Sequence, residues 1–250
     1  MQRAEPYSVL ASGYDAVMAH VDYRAWASHA RRLLTLHRPE AIDVLELGSG
    51  TGALARELQP LGPLPDGFRY RASDASLAML DAARSASRGL PLTFEQVDFR
   101  SVPPAPPADA VLLLYDGLNY LVDESDVRRL FASVAGALRA GGVFLFDQST
   151  PSNSLRHAGG FDDAGATGAF DYVRTSRYDR AEKLHRTTFR ISFPDGAEVV
   201  EEHVQRAYAI REIRSLLSES PLDVVASYDG MSLRPAHRRS ERVHWVARRA

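Results

Sequence analysis

The sequence predicts an α/β protein: a seven-stranded, mostly parallel sheet with helices on both faces and an antiparallel β cap inserted after the fifth strand. Apolar runs that favour strands alternate with helical patterns as far as Asp147, which is typical of βαβ units. Between residues 172 and 208, three extended runs then follow one another with no helix between them. Two last extended runs, over 222–228 and 242–247, bring the expected sheet to seven strands.

Length and composition restrict the classes of protein. The chain has 250 residues, of which 45% are hydrophobic, enough for one large domain or a domain with a small cap. Its net charge of −2 gives no general attraction for nucleic acid. It has no cysteine, which excludes disulfides, cysteine-ligated zinc and a thiol nucleophile. With no apolar leader and no apolar run of membrane-spanning length, we expect a cytoplasmic protein without a membrane partner; homodimer formation stays open.

Apolar periodicity assigns the elements in chain order. Residues 1–40 are expected to form a helical lid, because apolar side chains such as Val17, Trp26 and Leu33 recur at helical spacing. The core over 41–150 should hold strands over 42–47, 68–72, 92–97, 109–115 and 143–147, and helices over 51–58, 76–87 and 124–139. Gly141-Gly142 is predicted to close the last helix. We expect the cap over 151–207, with a hairpin turn at Pro194-Asp195-Gly196, and completion of the core over 208–250.

The segment that says most about function is Val44-Leu45-Glu46-Leu47-Gly48-Ser49-Gly50-Thr51-Gly52. A buried strand ends beside an acidic residue, and three alternating glycines follow before a helix. Glycine lets the backbone lie against a ligand and adopt positive φ. The Glu-x-Gly-x-Gly-x-Gly pattern resembles motif I of the class I S-adenosylmethionine (SAM)-dependent methyltransferases. This resemblance implies a Rossmann-like fold, with SAM as cofactor and S-adenosylhomocysteine as product.

Acidic residues at the next strand ends extend the resemblance, which covers roughly residues 10–150. Asp74 ends the second strand and Asp98-Phe99 ends the third. The resemblance implies that Glu46 acts in the polar network around the amino group of SAM, Asp74 accepts the ribose hydroxyls, and Asp98 accepts from the adenine amine. The expected cofactor-binding residues are Tyr14, Tyr23, Glu46, Gly48, Ser49, Gly50, Asp74, Ala75, Met79, Asp98, Phe99 and Tyr115.

Two segments resemble small-molecule methyltransferases, namely the lead-in from Tyr14 to Trp26 and Asp116-Gly117-Leu118-Asn119-Tyr120-Leu121. They are similar to segments of amino-sugar N,N-dimethyltransferases and of the glycine N-methyltransferase type. The resemblance implies methyl transfer to nitrogen or oxygen of a small-molecule acceptor. Asn119 and Gln148 are the expected substrate-binding residues, because they bring neutral donors and acceptors to the strand ends. The family's substrate-side residues do not match Gln148-Ser149-Thr150, so the acceptor itself is not carried over.

Methyl transfer needs a base only where the acceptor must lose a proton. The candidate catalytic residues at the expected strand ends and in the lid are Tyr14, Asp116 and His157, with Asp147 beside them. The sequence does not rank them. His20 and Asp22 have no third ligand near them in the sequence, so no metal site is expected.

Two other functions stay open on the sequence alone. Gly48-x-Gly50-x-x-Ala53 also satisfies a degenerate dinucleotide-binding fingerprint, with Asp74 downstream, which would suit an NAD-binding oxidoreductase. A catalytically silent SAM-binding protein would share the cofactor site and lack an acceptor pocket. Because the chain has no basic stripe, nucleic acid is not the expected partner.

Overall fold

The computed structural model describes residues 2–58, 67–157 and 162–250. In chain order the elements are β1 (Gln2–Ala4), α1 (Tyr14–Val17), α2 (Tyr23–His37), β2 (Asp43–Leu47), α3 (Ala53–Leu58), β3 (Arg69–Asp74), α4 (Leu77–Ala86), β4 (Thr93–Gln96), β5 (Ala108–Leu113), α5 (Glu124–Ala137), β6 (Leu138–Ser149), α6 (Pro151–Arg156), β7 (Asp163–Ala166), β8 (Asp171–Asp179), β9 (Leu184–Ser192), β10 (Glu198–Arg206), α7 (Ile210–Ser218), β11 (Leu222–Asp229) and β12 (Arg242–Arg249). Short 3₁₀ helices cover Leu10–Gly13, Phe99–Ser101 and Gly117–Tyr120.

The larger of the two sheets has seven strands over the described ranges, in the order β11-β12-β6-β5-β2-β3-β4. Strands β2 to β6 run parallel, and β12 pairs antiparallel with both β6 and β11. The predicted fold class is confirmed. The order of the strands reverses between β2 and β5, and open α/β sheets bind their ligands outside the carboxyl ends of the strands at such a point.

Apolar side chains cover both faces of this sheet. Every residue of β5 is buried, as its nearly continuous apolar run predicted. On one face Phe131 of α5 packs against Phe144 and Phe146 of β6. On the other face, Leu33 of α2 and Leu54 of α3 belong to the same buried cluster as the strand residues. This packing holds the strands in place on both faces, so that their carboxyl ends lie at defined positions along one edge of the sheet. No helix in the described part of the chain is long and apolar enough to cross a lipid bilayer.

The second sheet forms the cap, with described strands in the order β1-β10-β9-β8-β7. Strands β8, β9 and β10 are the three predicted extended runs, and the turn at Pro194-Asp195-Gly196 joins the last two. Gly196 has a φ of 86°, which favours glycine at this turn. A small separate core, which includes Leu10, Phe170 and Phe189, packs the cap against the N-terminal segment.

Two local predictions were wrong. Gly141-Gly142 does not close α5, because that helix ends at Ala137 and both glycines lie inside β6. They accompany an irregular register with β5, and Gly141 has a φ of 73°, so the pair accommodates a bulge. Residues 2–4, expected within a helical lid, instead form a strand that pairs in parallel with β10.

The start of the cap also differs from an all-extended segment. Helix α6 follows Thr150, whose hydroxyl accepts a hydrogen bond from the backbone N–H of Ser152, and Pro151 occupies its first turn. Both residues are ordinary signals for the start of a helix. Residues 158–161 of the predicted cap lie outside the described residues.

Candidate active site

The carboxyl ends of β2, β3 and β5 open into a cavity of about 770 Å³, called here the cofactor cavity. Its walls include every residue that the sequence assigned to the cofactor, from Tyr14 in the N-terminal segment to Tyr115 after β5. The volume falls within the range of cofactor and ligand pockets. The ends of β2, β3, β4 and β5 and the N-terminal segment therefore bring the predicted residues to one place.

The glycine loop after β2 presents bare backbone to this cavity. Gly48, Gly50 and Gly52 have φ values of 62°, 54° and 74°, a region that L-residues rarely adopt. A Cβ atom built at Gly50 would meet no atom within 4 Å, so a side chain there would occupy open space at the cavity wall. The loop thus leaves room for a ligand to approach the main chain.

Asp74, at the end of β3, is bound to the glycine loop. Its Oδ2 accepts from the backbone N–H of Gly50 at 2.9 Å, and its Oδ1 accepts from that of Ser76 at 2.8 Å. Burial raises the pKa of Asp74, and these hydrogen bonds oppose the rise. Each carboxylate oxygen can accept a second hydrogen bond, so Asp74 can hold the loop and a diol together.

Glu46 is buried near the end of β2 and accepts a hydrogen bond from the Tyr70 hydroxyl at 2.9 Å. Burial raises the pKa of Glu46 to about 7, and the charge of Asp74 adds to the rise. A positive charge close by would favour the ionised carboxylate. Glu46 is therefore suited to an ammonium group on the ligand.

Asp98 and Phe99, which follow β4, also line the cofactor cavity. Asp98 accepts from both the backbone N–H and the Nε of Arg100, each at 2.9 Å, and Arg100 lowers the pKa of Asp98. The edge of the Phe99 ring lies 3.9 Å from the position of a Cβ on Gly48. A ligand amine at Asp98 would share the carboxylate with Arg100.

Four tyrosines line both the cofactor cavity and a second cavity under the cap: Tyr7, Tyr14, Tyr115 and Tyr120, called here the tyrosine collar. The ring centroid of Tyr7 lies 5.8 Å from that of Tyr14 and 5.7 Å from that of Tyr120. Burial raises the pKa of all four, that of Tyr115 to about 12. The hydroxyls therefore stay protonated at neutral pH, and the ring faces suit a cationic centre.

The second cavity, called here the acceptor cavity, has a volume of about 200 Å³. The cap strands β8, β9 and β10 supply much of its wall, including Ser176, His185, Thr187 and His203. The Ser176 hydroxyl lies 2.6 Å from His185 Nε2 and 2.8 Å from the Thr187 hydroxyl. The wall of this cavity is thus polar and able to exchange hydrogen bonds with a small ligand.

Arg242 of β12 secures the turn that presents Tyr115. Tyr115 and Asp116 have φ values of 64° and 67°, which cost of the order of 1–3 kcal/mol each in residues other than glycine. The Arg242 guanidinium binds both oxygens of Asp116, at 2.7 and 2.9 Å, and also pairs with buried Asp147. Burial raises the pKa of Asp147 to about 6. Both carboxylates are therefore engaged by one arginine.

The comparisons with known proteins agree with this geometry. The model of a methyltransferase domain family matches residues 44–142. YqeM of Bacillus subtilis (strain 168), a protein named as a methyltransferase, is 30% identical over 219 residues, which are 84% of each chain.

The chain belongs to the methyltransferases. A solved SAM-dependent methyltransferase from Clostridium acetobutylicum ATCC 824 is 25% identical, with a TM-score of 0.77 over 97% of this chain and 98% of the other. SAM is the cofactor of this methyltransferase. The sugar N-methyltransferase KedS8 from Streptoalloteichus sp ATCC 53650 shares the fold, with a TM-score of 0.73 and 22% identity over 94% and 92% of the two chains.

The residues of the cofactor cavity fit SAM chemically. Open space at Gly50 leaves room beside the main chain, Asp74 offers two acceptor oxygens, and Glu46 offers a buried carboxylate for an ammonium group. We expect these groups to bind the methionyl and ribose parts of SAM, with the sulfonium at the tyrosine collar. Within the described ranges, no three His, Asp or Glu side chains come together as a metal site.

The predicted catalytic and substrate-binding residues of this methyltransferase do not all line the acceptor cavity. Tyr14 and Asp116 line the acceptor cavity. Asn119 lines it too, but its amide donates to the carbonyls of Ser149 and Arg206 and accepts from the Ser149 N–H, so its amide is committed to the main chain.

Gln148 and His157 are not among the residues that line either cavity. Gln148 is fully buried; it donates to the carbonyl of Tyr208 and accepts from Trp245 Nε1. His157 Nε2 lies 3.5 Å from a carboxylate oxygen of Glu241, the residue before β12, and both side chains are partly exposed. The expectation that these two side chains face the acceptor was wrong in position, because Trp245 of β12 engages Gln148 and Glu241 lies beside His157.

Among the polar residues that the sequence did not assign to the site, Tyr7 and His203 line the acceptor cavity, Glu201 lies beside His203, and Arg242 binds Asp116. Glu201 and His203 are two residues apart in β10, and side chains at this spacing lie on one face of a strand. This spacing was a usable signal in the sequence. Nothing local, by contrast, indicated that Tyr7 or Arg242 would reach the site.

Proposed function

We propose that this methyltransferase transfers the methyl group of SAM to a nitrogen or oxygen atom of a small molecule bound in the acceptor cavity. The tyrosine collar carries this proposal, because it lines both cavities at once. A methyl group held at the collar would face an acceptor of limited size, since the acceptor cavity measures only about 200 Å³.

Bound SAM supplies a methyl group on a positively charged sulfur, which is already activated for displacement. The main tasks left to the chain are alignment and the exclusion of water. The collar rings border the reacting centre, and their protonated hydroxyls can orient an acceptor's polar groups. The cap strands and the N-terminal segment over residues 1–40 would close around the acceptor.

The cavity wall favours a small polar acceptor. Ser176, Thr187 and His185 offer both hydrogen-bond donors and acceptors on the cap side. Arg174 and Arg206 also line the cavity, but carboxylates already pair with them, Asp163 with the first and Glu124 and Glu212 with the second. The shared fold with a sugar N-methyltransferase supports an amine- or hydroxyl-bearing acceptor of that size.

The test is a screen for S-adenosylhomocysteine formation from SAM. Small primary and secondary amines, amino sugars, phenols and alcohols are compared with bulk tRNA, DNA and unfolded protein. We expect turnover with at least one small acceptor. A Thr187→Phe variant, which fills the acceptor cavity, should abolish turnover while its affinity for S-adenosylhomocysteine changes by less than about twofold.

The matched control is Thr188→Phe, which makes the same change on the other face of β9 and should keep its activity. Turnover only with tRNA, DNA or protein would contradict the proposal. So would equal turnover in the two phenylalanine variants, since the acceptor would then not bind under the cap.

A further inference from the structure

A chain of buried polar contacts leads from the tyrosine collar into the cap. The hydroxyls of Tyr7 and Tyr120 are hydrogen bonded to each other. The Tyr120 hydroxyl lies 3.2 Å from His203 Nδ1, and His203 Nε2 lies 3.4 Å from a carboxylate oxygen of Glu201. His203 is 3% exposed and Glu201 is 0% exposed. The contacts thus connect the boundary of the two cavities to a carboxylate that water does not reach.

Glu201 is held as an anion by several donors. Its Oε1 accepts from the backbone N–H groups of Val9 and Leu10, at 2.5 and 2.9 Å, and its Oε2 accepts from that of Tyr7 at 2.9 Å. These hydrogen bonds and His203 outweigh the effect of burial and lower the pKa of Glu201. The carboxylate therefore stays ionised beside the imidazole at neutral pH.

The ionised carboxylate decides which nitrogen of His203 carries the proton. A lone pair on Nε2 would lie 3.4 Å from a negative oxygen and would be repelled, whereas an Nε2–H is attracted. Among the described residues Nε2 has no hydrogen-bond partner that would reverse this preference. Nδ1 is then the acceptor, and the Tyr120 hydroxyl must donate to it. Tyr120 in turn accepts from Tyr7.

Other groups around His203 do not compete for this role. Phe189 of β9 packs against its ring, with centroids 5.5 Å apart, and Thr187 pairs with it across the sheet. Arg174, which lies 6.0 Å from the Phe189 centroid, is bound at its guanidinium by Asp163. Among the residues that the structure describes, Tyr7, Tyr120 and Glu201 are the titratable groups in direct contact with the imidazole.

We infer that His203, oriented by Glu201, accepts the proton of the methyl acceptor through Tyr120; this inference rests on the proposed function. The acceptor's nitrogen or oxygen forms a bond to the methyl carbon as the carbon–sulfur bond breaks, and the electron pair of that bond stays on sulfur. The acceptor's proton passes to the Tyr120 oxygen while the Tyr120 proton passes to His203 Nδ1. The resulting imidazolium is paired with Glu201 and later returns its proton to water.

The raised pKa of Tyr120 explains why the proton must pass from Tyr120 to His203. Burial and the nearby carboxylates of Asp116, Glu201 and Asp74 raise the pKa of Tyr120 above its ordinary value. A phenolate at this position is therefore disfavoured, and tyrosine alone would be a poor final base. On receiving the proton, the His203 imidazole carries its positive charge beside the anionic Glu201, which stabilises the product of the transfer.

The first test measures the imidazole nitrogens by ¹⁵N NMR in the complex with S-adenosylhomocysteine, with His203 assigned by His203→Asn. We expect the Nε2–H tautomer, with Nδ1 unprotonated and hydrogen bonded. In Tyr120→Phe, which removes only the hydroxyl, the Nδ1 signal should shift towards that of a nitrogen without a donor. In Glu201→Gln, which removes the negative charge beside Nε2, the preference for the Nε2–H tautomer should weaken.

Glu202→Gln is the matched control, because Glu202 lies on the opposite face of β10 and pairs with Arg186 and Arg3. The His203 signals should not respond to it. An Nδ1–H tautomer in the unmodified complex would overturn the inference. So would an equal preference for the Nε2–H tautomer in the Glu201 and Glu202 variants. These results need no acceptor, so they are independent of the proposed function.

The second test uses the small acceptor that the screen identifies. Asparagine at position 203 can still accept from Tyr120 but cannot hold the proton, so His203→Asn should lower kcat on the order of 100-fold. The affinity for S-adenosylhomocysteine and the midpoint of thermal unfolding should change little. The acid limb of the kcat profile should disappear. A kcat loss with the acid limb intact would show a purely structural role and overturn the inference.

Discussion

The imidazole rings of His29 and His244 contact each other edge to face, with centroids 4.5 Å apart and planes at 70°. His29 belongs to α2 and His244 to β12, so the pair lies in the packing between a helix and the sheet. Both residues are buried, and neither Nε2 has a partner among the described residues. Charging either ring would place an uncompensated cation in the core.

This pair predicts a loss of stability in mild acid. Burial lowers the pKa of His29 to about 4 and that of His244 well below its ordinary value. Between about pH 6.5 and 4 the two histidines bind protons in the unfolded chain but not in the folded chain. The free energy of unfolding therefore falls as the pH falls. Urea titrations across this range should show a declining midpoint. The urea midpoint of His29→Leu should decline less steeply as the pH falls. An identical dependence of the midpoint on pH in both proteins would contradict the assignment.

Asp74 provides a test of the cofactor site. Because its carboxylate both holds the glycine loop and offers acceptor positions to a ribose, Asp74→Ala should weaken S-adenosylhomocysteine binding by about 1.5–3 kcal/mol, the scale of hydrogen bonds to a charged group. Isothermal calorimetry measures this directly. Asp81→Ala is the control, since that exposed carboxylate on α4 pairs only with Arg84 among described residues. Unchanged affinity in a folded Asp74→Ala protein would remove Asp74 from the ribose site.

Much of the fold and of the cofactor cavity could be predicted, because the signals were local. The apolar run Val44–Leu47 and the glycines after it fix a strand and a turn within ten residues. Acidic residues at successive strand ends meet at one edge as soon as the sheet is parallel. The position of Asp74 beside the glycine loop could therefore be predicted from these local signals alone.

The acceptor side could not be predicted in this way. Its residues come together through pairings distant in the sequence, such as Tyr7 with Glu201 and Asp116 with Arg242. The same long-range pairing removed Gln148 from the cavity, because β12 places Trp245 beside it. The prediction for Gly141-Gly142 was wrong because a bulge and the end of a helix require the same backbone freedom. The two glycines alone did not distinguish between them.

Gln148 is predicted to act on stability rather than on the acceptor. Gln148→Ala leaves Trp245 Nε1 and the Tyr208 carbonyl without their partner in a fully buried setting. We expect the free energy of unfolding to fall by about 2–4 kcal/mol, from unpaired polar groups and a cavity. Urea denaturation checks this. Gln148→Met fills the volume but pairs neither group, so it should recover only part of the loss. A stable alanine variant with impaired turnover would instead return Gln148 to the acceptor site.

The N-terminal segment from Tyr14 to Trp26 is predicted to act as a lid that becomes more ordered when the cofactor binds. Tyr14, Tyr23 and Trp26 line the cofactor cavity, and Asp15 pairs with Thr51 and Arg56 next to the glycine loop. A ligand in the cavity would therefore contact the segment and the sheet edge together, and elements that gate a site belong to the less stable parts of a fold.

Hydrogen exchange with and without S-adenosylhomocysteine measures the order of this lid. The amides of residues 14–26 should exchange more slowly in the complex, by at least about tenfold at saturation, since binding at 100 times the Kd stabilises by about 2.7 kcal/mol. The hairpin at Pro194-Asp195-Gly196 serves as the internal control, because it lies at the turn between β9 and β10 and lines neither cavity. Equal protection of residues 14–26 in both states would mean that the segment is ordinary packing, and the site would then have to exclude water by the cap alone.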